Sequence, residues 1–479
     1  MKTLKLFSNG INVSGISGFF LRKLLHKHLF MFVLLITLFA VGQEIFAQEP
    51  DTSKLRLSYS LIDYPQNFGD VPVYPSMVQS TELSNDFYDV SFWGIDALGK
   101  VIFKNKNNTK GGKIGRESFN YLVGFAFSYF GSELPGLLGV YNHEQYHISV
   151  LAANGYASKN GNWIFNRWDG TVYGLTDEDL TQLKSENLDG LLYSYVSGVQ
   201  SENVATQTNV IQDFYHKRTF YKNPFYLYNA LYVWKYFNFS TSPESDSVKV
   251  IAPEYEDSNP YYRDYAGADL TAWVYDMFSP DAPYTDRDPF PDGEGVNRRI
   301  GFNDLTPEGQ DYLVKQKNLS LLNFVNPAIF LVNRIKINPD FSFLAFLQYS
   351  PTNFGNDIAV FVPFKTAKLN QLFAFHTYSN YQNNFFGIQY GLVDVKPFSN
   401  KKIALGGTVN LWNQPENQSF YDTSGKFGGS FELQADYELG KGFSANIGGG
   451  YKSAGWEIGN AYLVSKGNFR VGLKYNLKK

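Results

Sequence analysis

From Phe341 to Leu477 apolar residues recur at every second position, and this alternation constrains the fold more than any other feature of the sequence. A period of two sends successive side chains to opposite faces, so each such stretch reads as a strand with one apolar face. Phe341–Tyr349, Asp357–Phe364, Gln371–Tyr378, Asn384–Leu392, Lys402–Trp412, Gly428–Leu439, Gly442–Tyr451, Trp456–Val464 and Phe469–Leu477 fit the pattern, and Leu331–Ile337 offers a tenth strand. Turn signals separate several of them, at Phe354-Gly-Asn, Ser399-Asn, Glu438-Leu-Gly-Lys-Gly and Lys466-Gly-Asn. In the last strand Val471, Leu473, Tyr475 and Leu477 share one side, and Gly472, Lys474 and Asn476 the other.

Short turns between strands of this length predict an antiparallel β-barrel of eight to ten strands over 331–479. A soluble β-sandwich is the competing reading. Composition favours the barrel: aromatics are 17% of the chain, with 34 Tyr and 42 Phe, which suits the aromatic girdles of outer-membrane strands. A barrel this small has its interior filled by side chains, so no wide pore is expected.

Before residue 335 the apolar spacing is mostly helical. Pro135 and Gly155 bracket a helix, Thr176-Asp-Glu-Asp179 opens a second, and a third runs from Asp189 to Phe214. Asn223-Pro224 starts an aromatic helix ending near Phe239, and Thr306-Pro-Glu308 starts one toward Leu322. Asn162–Phe165 and Gly170–Tyr173 read as a hairpin between the first two. The fold class expected is therefore α+β and multidomain, a mainly helical domain over 48–330 followed by the barrel.

Residues 1–47 read as an export signal. Lys2, Lys5, Arg22, Lys23 and Lys27 form a basic leader, Leu29–Val41 an apolar core too short to span a bilayer, and Ala47 a small residue at the cleavage point. Cleavage would remove five basic residues and Glu44, taking the net charge from −3 to −7. A mildly acidic chain has no electrostatic footprint for nucleic acid. With no cysteine there are no disulfides and no thiolate ligands, so any metal must be held by His, Asp or Glu.

The helix over 135–154 carries the chemistry. His143-Glu144-Gln145-Tyr146-His147 spells His-Glu-x-x-His, which on a helix sends two imidazoles off one face toward a single ion. Glu144 is then placed to take a proton from an attacking water. A catalytic zinc needs a third protein ligand and an open position. Glu202 is the favoured candidate, on the helix 189–214, where Gly198 one turn earlier would let that helix approach the motif closely. His216, Glu178, Glu186 and Asp269 are the alternatives, and His376 reads as structural. Asp286, Asp288, Asp292 and Glu294 could gather around calcium, although an acidic surface loop is the plainer reading.

With Val140, the uncharged residues Tyr141, Gln145 and Tyr146, and Ile148 around the two histidines, the segment resembles the zincin metallopeptidases of the gluzincin type. The resemblance implies Zn2+ on His143 and His147, a glutamate as third ligand and Glu144 as general base. Ser149 departs from the usual apolar residue, and Thr206 stands where gluzincins often carry an aspartate. Val150 and Ala153 rule out the extended metzincin pattern.

The leading expectation is a zinc metallopeptidase anchored in the outer membrane, acting on a peptide or protein substrate with outer-membrane lipid around its barrel. Two alternatives stand beside it. One is a non-catalytic outer-membrane β-barrel subunit of an envelope assembly, with envelope proteins as partners and a metal-stabilised domain. The other is a zinc hydrolase directed at lipid or another envelope component.

Overall fold

A computed structural model describes residues 53–104, 109–131, 139–160, 170–216, 220–291, 293–398 and 402–478. The expected export signal lies outside the described residues. Chain order begins with a strand, β1 (Ser53–Tyr64), followed by helices α1 (Met77–Ile102), α2 (Lys110–Ala126) and the motif helix α3 (Gly139–Ala153). A two-residue hairpin, β2 (Lys159–Asn160) and β3 (Val172–Tyr173), precedes α4 (Asp177–Glu186) and α5 (Leu188–Tyr215). Then come α6 (Asn223–Ser240), α7 (Pro243–Ile251), α8 (Asp269–Phe278) and α9 (Pro307–Ser320).

The rest is strand: β4 (Ile335–Asn338), β5 (Phe341–Phe343), β6 (Phe346–Thr352), β7 (Gly355–Lys365), β8 (Asn370–Ser379), β9 (Asn384–Val395), β10 (Ile403–Pro415), β11 (Gly425–Gly440), β12 (Phe443–Lys452) and β13 (Lys466–Lys478). Apart from the β2–β3 hairpin, all described strands join one antiparallel sheet of 11 strands. Its order is β1-β13-β12-β11-β10-β9-β8-β7-β5-β4, with β6 also on β7.

Three expectations need correction. The strand expected over Phe341–Tyr349 is broken at Leu344 and Ala345 into β5 and β6, each pairing with β7. The strand expected at Trp456–Val464 is instead the loop joining β12 to β13. Trp456 is buried, its backbone N–H donates to Gln414 Oε1, and the Asn460 backbone carbonyl accepts from the Tyr193 hydroxyl. Tertiary burial of the aromatic outweighs local alternation here. Conversely, Ser53–Tyr64 lies within the segment expected to be helical, yet β1 pairs with β13 over its whole length. A register shift between Ser60 and Ile62 moves the alternation by one place, so Leu57 and Tyr59 before it and Ile62 and Tyr64 after it all stand opposite apolar residues of β13.

The helix starts follow their caps. Thr176 accepts from the Asp179 N–H while the Asp179 carboxylate accepts from the Thr176 N–H, closing a capping box on α4. Pro224 sits in the first turn of α6 and Pro307 in that of α9, where their missing N–H groups leave no gap. α5, about 42 Å long at 1.5 Å per residue, carries buried residues on every side. At one end the Tyr193 hydroxyl reaches Asn460, and at the other the Tyr215 hydroxyl donates to the Gln371 carbonyl. Between them Asn203 donates to the Tyr349 carbonyl and Gln200 to that of Pro351, so α5 lies directly against β6.

The two faces of the sheet have opposite polarity. On β12, Phe443, Ile447 and Tyr451 point outward and are each about half exposed, and Leu433 and Phe431 do the same on neighbouring β11. The other face carries charges in pairs: Lys474 to Asp436 at 2.8 Å, and Arg470 to Glu432.

Candidate metal centre

α3 and α5 pack side by side, and Gly198 of α5 faces both motif histidines. A Cβ on Gly198 would lie 2.3 Å from His147 Nε2 and 2.4 Å from His143 Nε2. The gap left by the missing side chain is therefore the space into which both imidazoles point. α8 closes it from a third direction. Its first residue, Asp269, is aimed by the turn at Gly267, whose φ of +71° and close approach to the Arg299 backbone leave no room for a side chain. The Asp269 N–H donates to the Tyr236 hydroxyl, and a carboxylate at this position suits a helix N-terminus.

Asp269 Oδ2 stands 3.3 Å from His143 Nε2 and 3.3 Å from His147 Nε2. Ligand atoms 2.0–2.1 Å from a tetrahedral zinc are separated by about 3.3 Å, so the spacing suits three ligands of one ion. The far sides of both rings are held. His147 Nδ1 lies 2.6 Å from the Ser194 carbonyl, to which it donates, and 3.0 Å from the Tyr265 hydroxyl. His143 Nδ1 lies 3.4 Å from Glu202 Oε1. A proton on each Nδ1 leaves each Nε2 lone pair facing the gap.

Glu202 is thus beside the cluster but not in it. It meets His143 from behind, while Asp269 occupies the place that spacing along the chain gave to Glu202. The physical reason lies in α5. With Gly198 facing the gap, a residue four places on lies one turn away along the axis, level with the back of the His143 ring rather than its front. His216 is at the far end of α5 near Asp394, at 3.7 Å. Glu178 and Glu186 are exposed on α4. His376 Nδ1 donates to Asp357 Oδ2, 2.9 Å away, within the sheet. Asp288 pairs with Lys249, and the acidic loop forms no metal-binding group among the described residues.

All five groups are buried: His143, Glu144, His147, Glu202 and Asp269 are at most 9% exposed. Burial alone would favour a neutral His143, yet Glu202 and Asp269 hold its ring well above the usual imidazole range. Burial likewise opposes the charge on Asp269, and the two imidazoles hold it well below the usual carboxylate range all the same. One Glu202 oxygen is buried without a hydrogen-bond partner. Two imidazoles with the Asp269 carboxylate between them and Glu202 behind His143, all out of water, form a set able to hold a cation. A borderline ion that accepts nitrogen and oxygen ligands fits this donor set, and Zn2+ does so.

Aromatic walls complete the pocket. Tyr232 and Tyr236, one turn apart on α6, approach His143 with ring centroids at 5.9 and 6.0 Å, and Tyr265 approaches His147 at 5.7 Å. Burial, then Asp269, push the Tyr236 and Tyr265 hydroxyls well above the usual phenol range, so both remain donors. The sequence carries the Tyr232/Tyr236 pairing only as an i, i+4 spacing among 34 tyrosines, too weak a signal to select them.

No family model matches the chain, and no curated protein does. A solved structure described as the NanC porin in a rhombohedral crystal form aligns with 30% of this chain and 74% of its own length, at 12% identity and a TM-score of 0.23. A likeness this loose bears on neither fold nor function.

Proposed function

We propose that the protein is an outer-membrane protein of the β-barrel type, in which the sheet curves around the helical segment and a Zn2+ ion on His143, His147 and Asp269 ties α3 to α8 inside. The reversed polarity of the sheet carries this reading. From Phe443 to Tyr451 the outward face of β12 spans about 27 Å at 3.4 Å per residue, close to the apolar band of an outer-membrane barrel. Exposed Phe, Leu, Ile and Tyr side chains on one face, over ion pairs on the other, are the inverse of a soluble sandwich. The ion would act as a cross-link between helices distant in sequence, supporting a unit that works with other envelope proteins.

A hydrolase is the second reading, and one observation favours it. The cluster holds three protein ligands, whereas a structural zinc site is usually closed by four. Bound there, zinc would polarise a carbonyl group and make water more acidic. Glu144, buried on the same helix, would take the proton of the attacking water and deliver it to the leaving group. Tyr232 or Tyr236 would donate to the developing oxyanion. The substrate would be a peptide or an envelope lipid ester.

Metal analysis of the detergent-purified chain, beside Glu144→Gln and Asp269→Ala, tests both. Zinc near one per chain, lost in Asp269→Ala, supports the centre. Peptide or lipid hydrolysis abolished in Glu144→Gln with zinc retained supports the enzyme. Zinc retained with no hydrolysis of either class leaves the metal-stabilised barrel. No zinc uptake by the wild type sinks both roles for the ion.

A further inference from the structure

The sheet ends at β1 on one side and at β4 and β6 on the other. Within lipid an edge would expose a row of unpaired backbone groups, which is not tolerated. On the β1 side α1 takes up that row. The Ser58 N–H donates to both Asp86 oxygens at 3.0 and 3.1 Å, and the Ser60 N–H to Glu82 Oε2 at 2.7 Å. Gln79 Nε2 donates back to the Ser60 carbonyl at 2.8 Å. Gln79, Glu82 and Asp86 form one stripe of α1, so the helix stands alongside β1, antiparallel to it, where a further strand would pair.

Packing continues from there toward the other edge. α1 packs on α2, α2 on the short turn Phe220–Lys222, and α6, which follows that turn, on Pro327–Phe330 just before β4. A second stripe of α1 faces inward with Tyr88, Phe92 and Ile95. A third faces out. Phe87, Val90, Leu98 and Val101 on α1 and Leu122 and Phe125 on α2 are between 38% and 70% exposed. No described helix is long and apolar enough to cross a membrane by itself. In α1 the stripe that meets β1 is polar, with Gln79, Glu82 and Asp86, which lowers the hydropathy of the whole helix.

The sequence between and around the ends of the two helices adds a charge signature. Lys100, Lys104, Lys106, Lys110, Lys113 and Arg116 fall within 17 residues that contain no acidic residue, and of these Lys100 pairs with Asp96 and Arg116 with Glu117 at the two ends. Because α1 runs antiparallel to β1, its C-terminal end lies toward the start of β1, where Leu55 pairs with Leu477.

We propose that α1 and α2 form part of the membrane wall, with their outer faces against acyl chains and their basic segment at the anionic headgroups of the leaflet on that side. This rests on the membrane reading of the sheet. The outer stripe continues the apolar face of β1 and β13 around the edge, and a cationic rim at one end of an apolar face matches an anionic bilayer surface.

The absence of cysteine makes the test direct, since a single introduced thiol can be labelled alone. Val90→Cys, Leu98→Cys and Leu122→Cys on the helices, Leu433→Cys on the sheet and Lys368→Cys in an exposed turn would carry a nitroxide. Each would be reconstituted in vesicles of phosphatidylethanolamine and phosphatidylglycerol. Accessibility to oxygen relative to a water-soluble nickel complex is then read. The helix sites should match Leu433 within about twofold and exceed Lys368 by about tenfold, since oxygen partitions into hydrocarbon and the complex does not. Helix sites that behave like Lys368 while Leu433 is lipid-like overturn the proposal and leave the membrane sheet intact. Helix sites shielded from both reagents overturn it in favour of a covering protein. A water-like Leu433 removes the membrane reading and the proposal with it. For the headgroup contact, a label at Lys113 should become about twofold more accessible to the nickel complex in vesicles lacking phosphatidylglycerol, and no change refutes that part.

Discussion

Gly198→Ala should abolish zinc binding while leaving the fold in place. The added methyl would sit 2.3 and 2.4 Å from the two Nε2 atoms, over 1 Å inside normal contact, in the space where the ion would stand. Overpacking of this kind costs about 1–3 kcal/mol, and the better helix propensity of alanine returns about 1 kcal/mol. The metal-free variant should therefore lie within about 2 kcal/mol of the metal-free wild type. The contrast appears on adding zinc. At a thousandfold excess over Kd the wild type gains about 4 kcal/mol by linkage, and the variant gains nothing. Thermal unfolding in detergent with and without zinc, alongside metal analysis, reads both quantities. A Gly198→Ala protein that takes up zinc and shifts its Tm like the wild type would refute the placement of the ion between these rings.

Other expectations follow from separate contacts. Asp269→Ala removes a ligand and should lose metal outright, whereas Glu202→Gln, which removes only the charge behind His143, should weaken zinc affinity by about 10–100-fold, measured by competition with a chelator. Leu433→Arg places a charge on the outer face of the sheet and should cost about 2–4 kcal/mol in lipid, read from refolding into vesicles; a cost near zero would speak against lipid contact. Burial raises the Asp189 carboxyl from 3.8 to about 7. Between those values the folded chain holds a proton that the unfolded chain has released, so its contribution declines as pH rises through this window and is lost above it. Asp189→Asn should therefore match the wild type near pH 4 and exceed it by about 2 kcal/mol near pH 8, since partial solvent access trims the full effect. Equal Tm differences at both pH values would contradict this.

The sheet was largely legible in the sequence because exposed apolar residues alternate with small or polar ones, as in Phe443 to Tyr451. It failed where burial overrode periodicity, at Trp456, and where a strand stood far from its partners, at Ser53–Tyr64. Of the cluster, His143 and His147 were readable as neighbours because one helix fixes their relation. Asp269 was visible as one of several candidates, but its ranking depended on a turn at Gly267 and on an approach by α8 that no spacing along the chain encodes. Gly198 was read correctly as a point of close approach, though not as the floor of the pocket. The roles of Glu82 and Asp86 went unread, because carboxylates on an amphipathic helix normally signify solvent rather than a strand edge.

The pairing of β1 with β13 has a consequence for how the chain assembles. Its first described strand finds its sheet neighbour only in the last strand, across roughly 400 residues, a closure whose entropic cost is about 5 kcal/mol by polymer statistics. Folding that begins with the local hairpins from β7 to β13 would add β1 late, and with it α1, whose carboxylates have no strand edge to grip until then. Loss of the final dozen residues would thus be felt at the opposite end of the polypeptide, as a liberated N-terminal strand rather than a shortened C-terminal one.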